Sequence, residues 1–99
     1  MYKAVLVHEV IPGKLSELKR WFQDADRERK AKNPDYRSPK RYITVIGNLT
    51  KFYGEFELNV VPDHPSVWIE NIEGHGNLKD LIVAGKTELY ILQELESEG

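Results

Sequence analysis

The feature that most constrains this chain is the change of hydrophobic period across VHEVIPGKLSELKRWF, residues 7–22. Upstream, residues 2–10 (YKAVLVHEV) form a Val- and Leu-rich run of strand length. Downstream, Leu15, Leu18, Phe22 and Ala25 recur at spacings of three and four, with Trp21 at the edge of the stripe. That spacing predicts an amphipathic helix over residues 14–33. Pro12-Gly13 punctuates the change, and Asn33-Pro34 closes the helix because a residue before proline is pushed out of the α region. A strand that turns straight into a helix is the opening of a crossover unit.

The remainder of the chain supplies matching parts. Residues 34–40 (PDYRSPK) are a loop bracketed by two prolines. RYITVIGNL (41–49) and KFYGEFELNVV (51–61) read as strands joined by a tight turn near Asn48–Thr50. The latter alternates: Phe52, Gly54, Phe56, Leu58 and Val60 share one face, and Tyr53, Glu55, Glu57 and Asn59 share the other. A slip of one residue would bury the carboxylates, so its register is firm. DHPSVWIENIE (63–73) reads as a second helix, with Asp63 or His64 as cap and Pro65 in the first turn. After GHGN (74–77), a short helix starts from an Asn77 cap, Gly85 ends it, and KTELYILQEL (86–95) is the last strand. The order is βαββαβ. It predicts one α+β domain over residues 1–99: a ferredoxin-like sandwich with a four-stranded antiparallel sheet and two helices on one face.

Two helices cover only one face of such a sheet. The other is predicted to carry Tyr53, Glu55, Glu57 and Asn59, with Tyr42, Thr44, Ile46 and Asn48 beside them and Glu88, Tyr90 and Leu92 on the last strand. The first strand is ambiguous, because Ala4, Leu6 and Val10 on one face and Val5 and Val7 on the other are all apolar. His8 joins the uncovered set only if Ala4 and Leu6 face away from the helices. Three tyrosines among scattered apolar groups suit a surface packed against another protein. Two sheets meeting face to face would close a dimeric α/β barrel with a cavity in each half.

With these elements in order, HEVIPGKLSEL resembles the opening of the dimeric α/β-barrel superfamily, and within it the NIPSNAP-like and antibiotic-biosynthesis-monooxygenase-like families. VAGKTELYILQEL, with glycine before an outgoing strand, is similar to NIPSNAP-type endings. The resemblance implies a homodimer, or a higher oligomer built from it, with a ligand-sized cavity between sheet and helices. It implies no single reaction, since such folds host cofactor-free oxygenases, isomerases, haem enzymes and plain binders. The chain also departs from the pattern. Where many NIPSNAP-like openings carry an arginine two residues before an aromatic, this one has Leu6 and His8, and the tryptophan pattern of the second helix survives only as Trp68.

Composition removes other classes. The chain has no cysteine, hence no disulfide, thiol nucleophile or thiolate metal site. A net charge of −2 provides no global field for nucleic acid, and Glu55 and Glu57 would repel phosphate on the strand an RNA-recognition module would use. No apolar run reaches the length of a membrane span and no signal-peptide pattern is present, so no membrane partner and a cytoplasmic location are expected. The basic run RERKAK (27–32) suits a solvated helix end. His8, His64 and His75 lack ligand spacing with any carboxylate on one element, so no metal is expected. His8 or His75 could in principle serve as a haem ligand, but nothing else supports haem and no cofactor is expected.

Acid–base chemistry makes the better enzymatic case. Glu55 and Glu57 lie two apart on a strand and point the same way, so partial burial would raise one carboxyl beside its charged neighbour. With His8 as proton partner they form a candidate catalytic set. Tyr42, Tyr53 and Tyr90 on the sheet, Tyr36 as a lid in the proline-bracketed loop, Arg41 for an anionic group and His75 in the glycine-rich break are the candidate ligand-binding residues. The expected role is binding of a small, partly apolar or aromatic molecule in a cavity under helix 14–33. The alternatives are a cofactor-independent monooxygenase or isomerase acting on an activated aromatic or carbonyl substrate, and an assembly module without a ligand.

Overall fold

A computed structural model describes residues 1–95. Its order is β1 (Tyr2–Glu9), α1 (Leu15–Lys32), β2 (Lys40–Ile43), β3 (Lys51–Leu58), α2 (Pro65–Glu73), a 3-10 turn at Leu78–Asp80, and β4 (Glu88–Gln93). The four strands form one open antiparallel sheet in the order β2-β3-β1-β4. This α+β arrangement of four strands and two helices is consistent with the ferredoxin-like split βαβ. Among the described residues no helix is long and apolar enough to cross a membrane.

The Pro12-Gly13 corner works as its residues require. The Lys14 N–H donates to the Ile11 carbonyl at 3.0 Å, and Gly13 takes φ +83°, the left-handed value a type II turn demands at its third position. The helix begins directly, with Leu18 N–H bonded to the Lys14 carbonyl at 2.9 Å. It ends at Asn33, whose extended φ of −138° meets the constraint set by Pro34. Arg29, Lys30 and Lys32 in the last turn suit its dipole.

The core gathers at one end of the sheet. Leu18 is 0% exposed and packs with Val10, Phe52, Leu78, Leu81 and Ile82, while Leu15, Trp21, Phe22 and Ile72 seal the edges. Backbone bonds beyond the strands tie this end together: Val10 N–H to Thr50 O, Ile11 N–H to Leu81 O, and Val83 N–H to Glu9 O, at 2.8, 3.0 and 2.8 Å. α2 is held more lightly. It buries no residue fully and rests through Trp68 stacked on Phe56, with ring centroids 5.9 Å apart.

Three local expectations are corrected. The strand expected over 41–49 stops at Ile43, so Thr44, Ile46 and Asn48 leave the sheet; Val45 and Ile46 are 83% and 94% exposed. The cause is local chemistry. Asn48 Oδ1 accepts from both the N–H and the hydroxyl of Thr50, at 3.0 and 2.6 Å, and Gly47 takes φ +123°. His64 and Asn77 precede their helical turns but neither caps with its side chain. The last strand is also shorter than residues 86–95, running from Glu88 to Gln93.

Candidate functional site

Strand register decides which predicted residues share a face, because directly opposed residues of an antiparallel pair point the same way. His8 lies opposite Phe52, Leu6 opposite Gly54 and Ala4 opposite Phe56. Phe52 belongs to the core beneath α1, so His8 lies on the helix side. Val5 and Val7 lie opposite Glu55 and Tyr53, on the other side. The ambiguity of the first strand is thereby resolved, and the expected proton-relay set is divided: Glu55 and Glu57 occupy the uncovered face, and His8 the covered one.

On the uncovered face, Tyr42 opposes Tyr53, and Tyr90 opposes Val5. Tyr42, Tyr90 and Leu92 are exposed, and Val7 is buried. Glu55 pairs with Lys3 at 3.2 Å, and Glu9 with Lys51 at 2.7 Å. The hydrogen bond from Lys51 holds the Glu9 carboxyl below its ordinary value. The Tyr90 hydroxyl donates to Glu88, whose carboxylate raises the phenol above its ordinary value. Glu57 stands exposed beside a cleft of about 410 Å³ walled by Met1, Tyr2, Lys3 and Leu92, at the far end of the sheet from the core.

The helix side holds the more organised arrangement. Phe22 of α1 stacks on Phe52 at 5.2 Å, nearly parallel, and the Arg41 guanidinium lies 4.5 Å above the Phe22 ring. Arg41 forms a two-pronged ion pair with Asp26, with one contact of 3.1 Å, and the Tyr36 hydroxyl donates to the same carboxylate at 3.0 Å. Burial alone would raise the Asp26 carboxyl; hydrogen bonds from Arg41 and Tyr36 outweigh it and hold it below its ordinary value. Tyr36 therefore fastens the proline-bracketed loop to α1. Beside these groups runs a cleft of about 310 Å³ with an apolar wall of Phe22, Phe52, Ile43 and Pro39, and Lys19, Gln23, Arg41 and Tyr42 at its polar margin.

Behind Phe22 sits a buried relay. His8 is 2% exposed, with its ring 5.8 Å from that of Phe22. Its Nδ1 lies 3.2 Å from Thr87 Oγ1, and Thr87 Oγ1 donates to Glu73 Oε2 at 2.9 Å. The Gly85 N–H donates to the same carboxylate oxygen, also at 2.9 Å. A hydroxyl has one proton, and Thr87 gives its proton to an oxygen that can only accept. Thr87 must therefore accept from His8, which fixes the proton on Nδ1 and leaves Nε2 unprotonated. Burial, opposed by the Glu73 charge and assisted by Arg41, lowers the His8 imidazole to a pKa of about 4, so it is neutral at pH 7.

The glycine-rich break wraps a different side chain. Trp21 donates from Nε1 to Asn77 Oδ1 at 2.9 Å and meets His75 edge to face at 5.8 Å. His75 thus packs on Trp21, away from both clefts. Among the described residues no group of three or more His, Asp or Glu side chains is placed to hold a metal ion. Sequence reasoning missed Asp26, Glu73 and Thr87. Asp26 carried a weak signal, on the α1 flank one turn from Phe22; Glu73 and Thr87 carried none, being brought to His8 only by the fold.

No protein-family model matches the chain, and no curated protein matches it in sequence. Among solved structures the chain is similar to an X-ray crystal structure of a protein from Agrobacterium tumefaciens. The two superpose with a TM-score of 0.63 at 11% identity, over 96% of this chain and 94% of the other. At that identity the likeness speaks for the fold: a small α+β domain with a four-stranded antiparallel sheet and two helices.

Proposed function

We propose that this protein binds a small, partly apolar or aromatic molecule bearing an anionic group, in the cleft between α1 and the β2–β3 edge of the sheet. The observation that carries this reading is the cleft itself: about 310 Å³, with a stacked Phe22–Phe52 floor and Lys19 and Arg41 at its margin. Its volume falls within the range of small-molecule sites, and the mixture of apolar wall and few polar groups is the usual one. The partner is a second copy of the chain in a dimeric α/β barrel of NIPSNAP-like type, formed by packing the two uncovered sheet faces. Exposed Tyr42, Tyr90 and Leu92 on that face support the pairing.

Native mass spectrometry of freshly purified protein tests both parts. A dimer carrying retained small-molecule mass is the expected result; a bare monomer at micromolar concentration would overturn the reading. A second reading, a cofactor-independent oxygenase or isomerase, is favoured by the neutral, buried His8 behind the cleft floor. Glu55 serves it less well, because that carboxylate lies across the sheet from the cleft and is paired with Lys3.

A further inference from the structure

We infer that Lys19 is the anion-binding residue of the α1–sheet cleft, and that the ligands of this cleft are small monocarboxylates with an aromatic or apolar body. The inference rests on the small-molecule reading of that cleft and names the class of molecule it takes. Arg41 and Asp26 are positioning residues, which fix the shape of the site and limit its charge.

Two cations, Lys19 and Arg41, line the cleft, and their circumstances differ. Arg41 is committed. Both terminal nitrogens of its guanidinium donate to Asp26, one to each carboxylate oxygen, and the planar group lies 4.5 Å from the centre of the Phe22 ring. The two paired side chains are only 18% and 15% exposed. A ligand that drew Arg41 away would leave the Asp26 carboxylate without its cation, and removing one member of such a pair is costly. Tyr36 donates to the same carboxylate and helps hold the pair in one geometry. Lys19 is free by comparison. It is exposed, and among the described residues its ammonium pairs with no carboxylate. Phe22 and Gln23 follow it at spacings of three and four on α1, so the three share the helix face that walls the cleft. A compact ammonium on a flexible stem suits a carboxylate held at the margin of an apolar slot.

Charge then limits the ligand. Arg41 and Asp26 cancel, Gln23 is neutral, and Lys19 leaves the lining with one uncompensated positive charge. A monoanion neutralises it. A dianion would bring a second charge against an apolar wall, close to the Asp26 carboxylate, and the cost of desolvating an ion rises with the square of its charge. Asp26 thus does two things: it holds Arg41 in place, and it removes the second positive charge that a phosphate monoester would need. The apolar wall of Phe22, Phe52, Ile43 and Pro39 is left to receive the body of the ligand, and about 310 Å³ has room for a ring bearing a short acid arm.

Three probes that share one ring test this on the full chain at low salt: phenylacetate, its neutral isostere phenylacetamide, and phenyl phosphate, which is a dianion at about pH 8. Binding is followed by saturation-transfer NMR titration. The wild type is expected to bind phenylacetate about 10-fold more tightly than phenylacetamide, and phenyl phosphate no more tightly than phenylacetate. Lys19→Met keeps the stem and removes the charge at an exposed position, so the fold should persist. It is expected to abolish the preference for phenylacetate and to leave phenylacetamide binding unchanged. Arg20→Met, exposed on the same helix but outside the cleft lining, is expected to alter neither. Gln23→Lys, which adds a second cation beside Lys19, is expected to turn the preference toward phenyl phosphate. Absence of binding by all three probes would overturn the cleft reading and the inference with it. Equal binding of phenylacetate and phenylacetamide, or a preference that survives Lys19→Met, would overturn the inference and leave the cleft reading standing. Tighter binding of phenyl phosphate than of phenylacetate by the wild type would overturn the monocarboxylate class.

Discussion

The indole N–H of Trp21 reaches the side-chain oxygen of Asn77 at 2.9 Å, across 56 residues of sequence. This bond fastens α1 to the glycine-rich break that follows α2. Gly76, in the left-handed conformation at φ +57°, brings its backbone against the indole. Asn77→Ala should lower stability by about 1 kcal/mol, the ordinary worth of such a bond. Urea unfolding followed by tryptophan fluorescence measures it, and an unchanged midpoint would remove the bond from the account.

Acid should act on His8 first. Its pKa falls from an unfolded value of about 6.5 to about 4, so between those values the unfolded chain binds the extra proton. The stabilising effect is therefore complete above about pH 6.5 and is lost progressively down to about pH 4, on the order of 3 kcal/mol in total. His8→Gln should flatten this part of the stability profile. Thermal melts at half-unit pH intervals decide it, and parallel profiles for the two proteins would contradict the assignment.

A second acid step belongs to Asp26. Its folded pKa lies below the unfolded value, so its contribution is present above about pH 3.9 and disappears as pH falls further through the folded pKa. Asp26→Asn should cost about 2 kcal/mol at neutral pH, because Arg41 and Tyr36 lose a charged acceptor. That deficit should shrink as pH falls through the lowered folded pKa, where the wild-type carboxyl is itself protonated. A deficit independent of pH would show that the carboxylate charge is not what Arg41 needs.

In the proposed dimer the two uncovered faces pack together, and charge placed there should break it. Tyr90→Glu combined with Leu92→Glu adds two carboxylates to positions that are already exposed in a single chain, so the fold should persist. Sedimentation velocity should report a monomer with an unaltered circular dichroism spectrum. A variant that still sediments as a dimer would locate the contact elsewhere.

What the sequence made legible was set by periodicity and turn chemistry. The alternation of Phe52, Gly54, Phe56 and Leu58 against Tyr53, Glu55 and Glu57 assigned both faces of β3 correctly, since burial demands it. The Leu15–Leu18–Phe22 stripe likewise identified the packed side of α1. β2 was overread because RYITVIGNL is uniformly β-prone, and nothing in that pattern weighs the Asn48–Thr50 bonds and Gly47 geometry that end the strand. On β1 apolar residues fall on both faces, so alternation could not orient His8; only its pairing with Phe52 does so. Its relay to Thr87 and Glu73 was invisible for a related reason. Residues 79 positions apart meet only once the sheet order is known.

That sheet order has a consequence for how the molecule is made. The first strand lies between the third and the last, and Tyr2 is paired with both Leu58 and Gln93. During synthesis β1 and α1 emerge early, yet one edge of β1 stays unpaired until nearly the whole described chain has followed. Pairings of such separation slow folding, because the loop between them must close before any contact forms. An apolar strand exposed for that interval invites association with other chains. The molecule is thus expected to acquire its structure in one late step rather than progressively from its first residues.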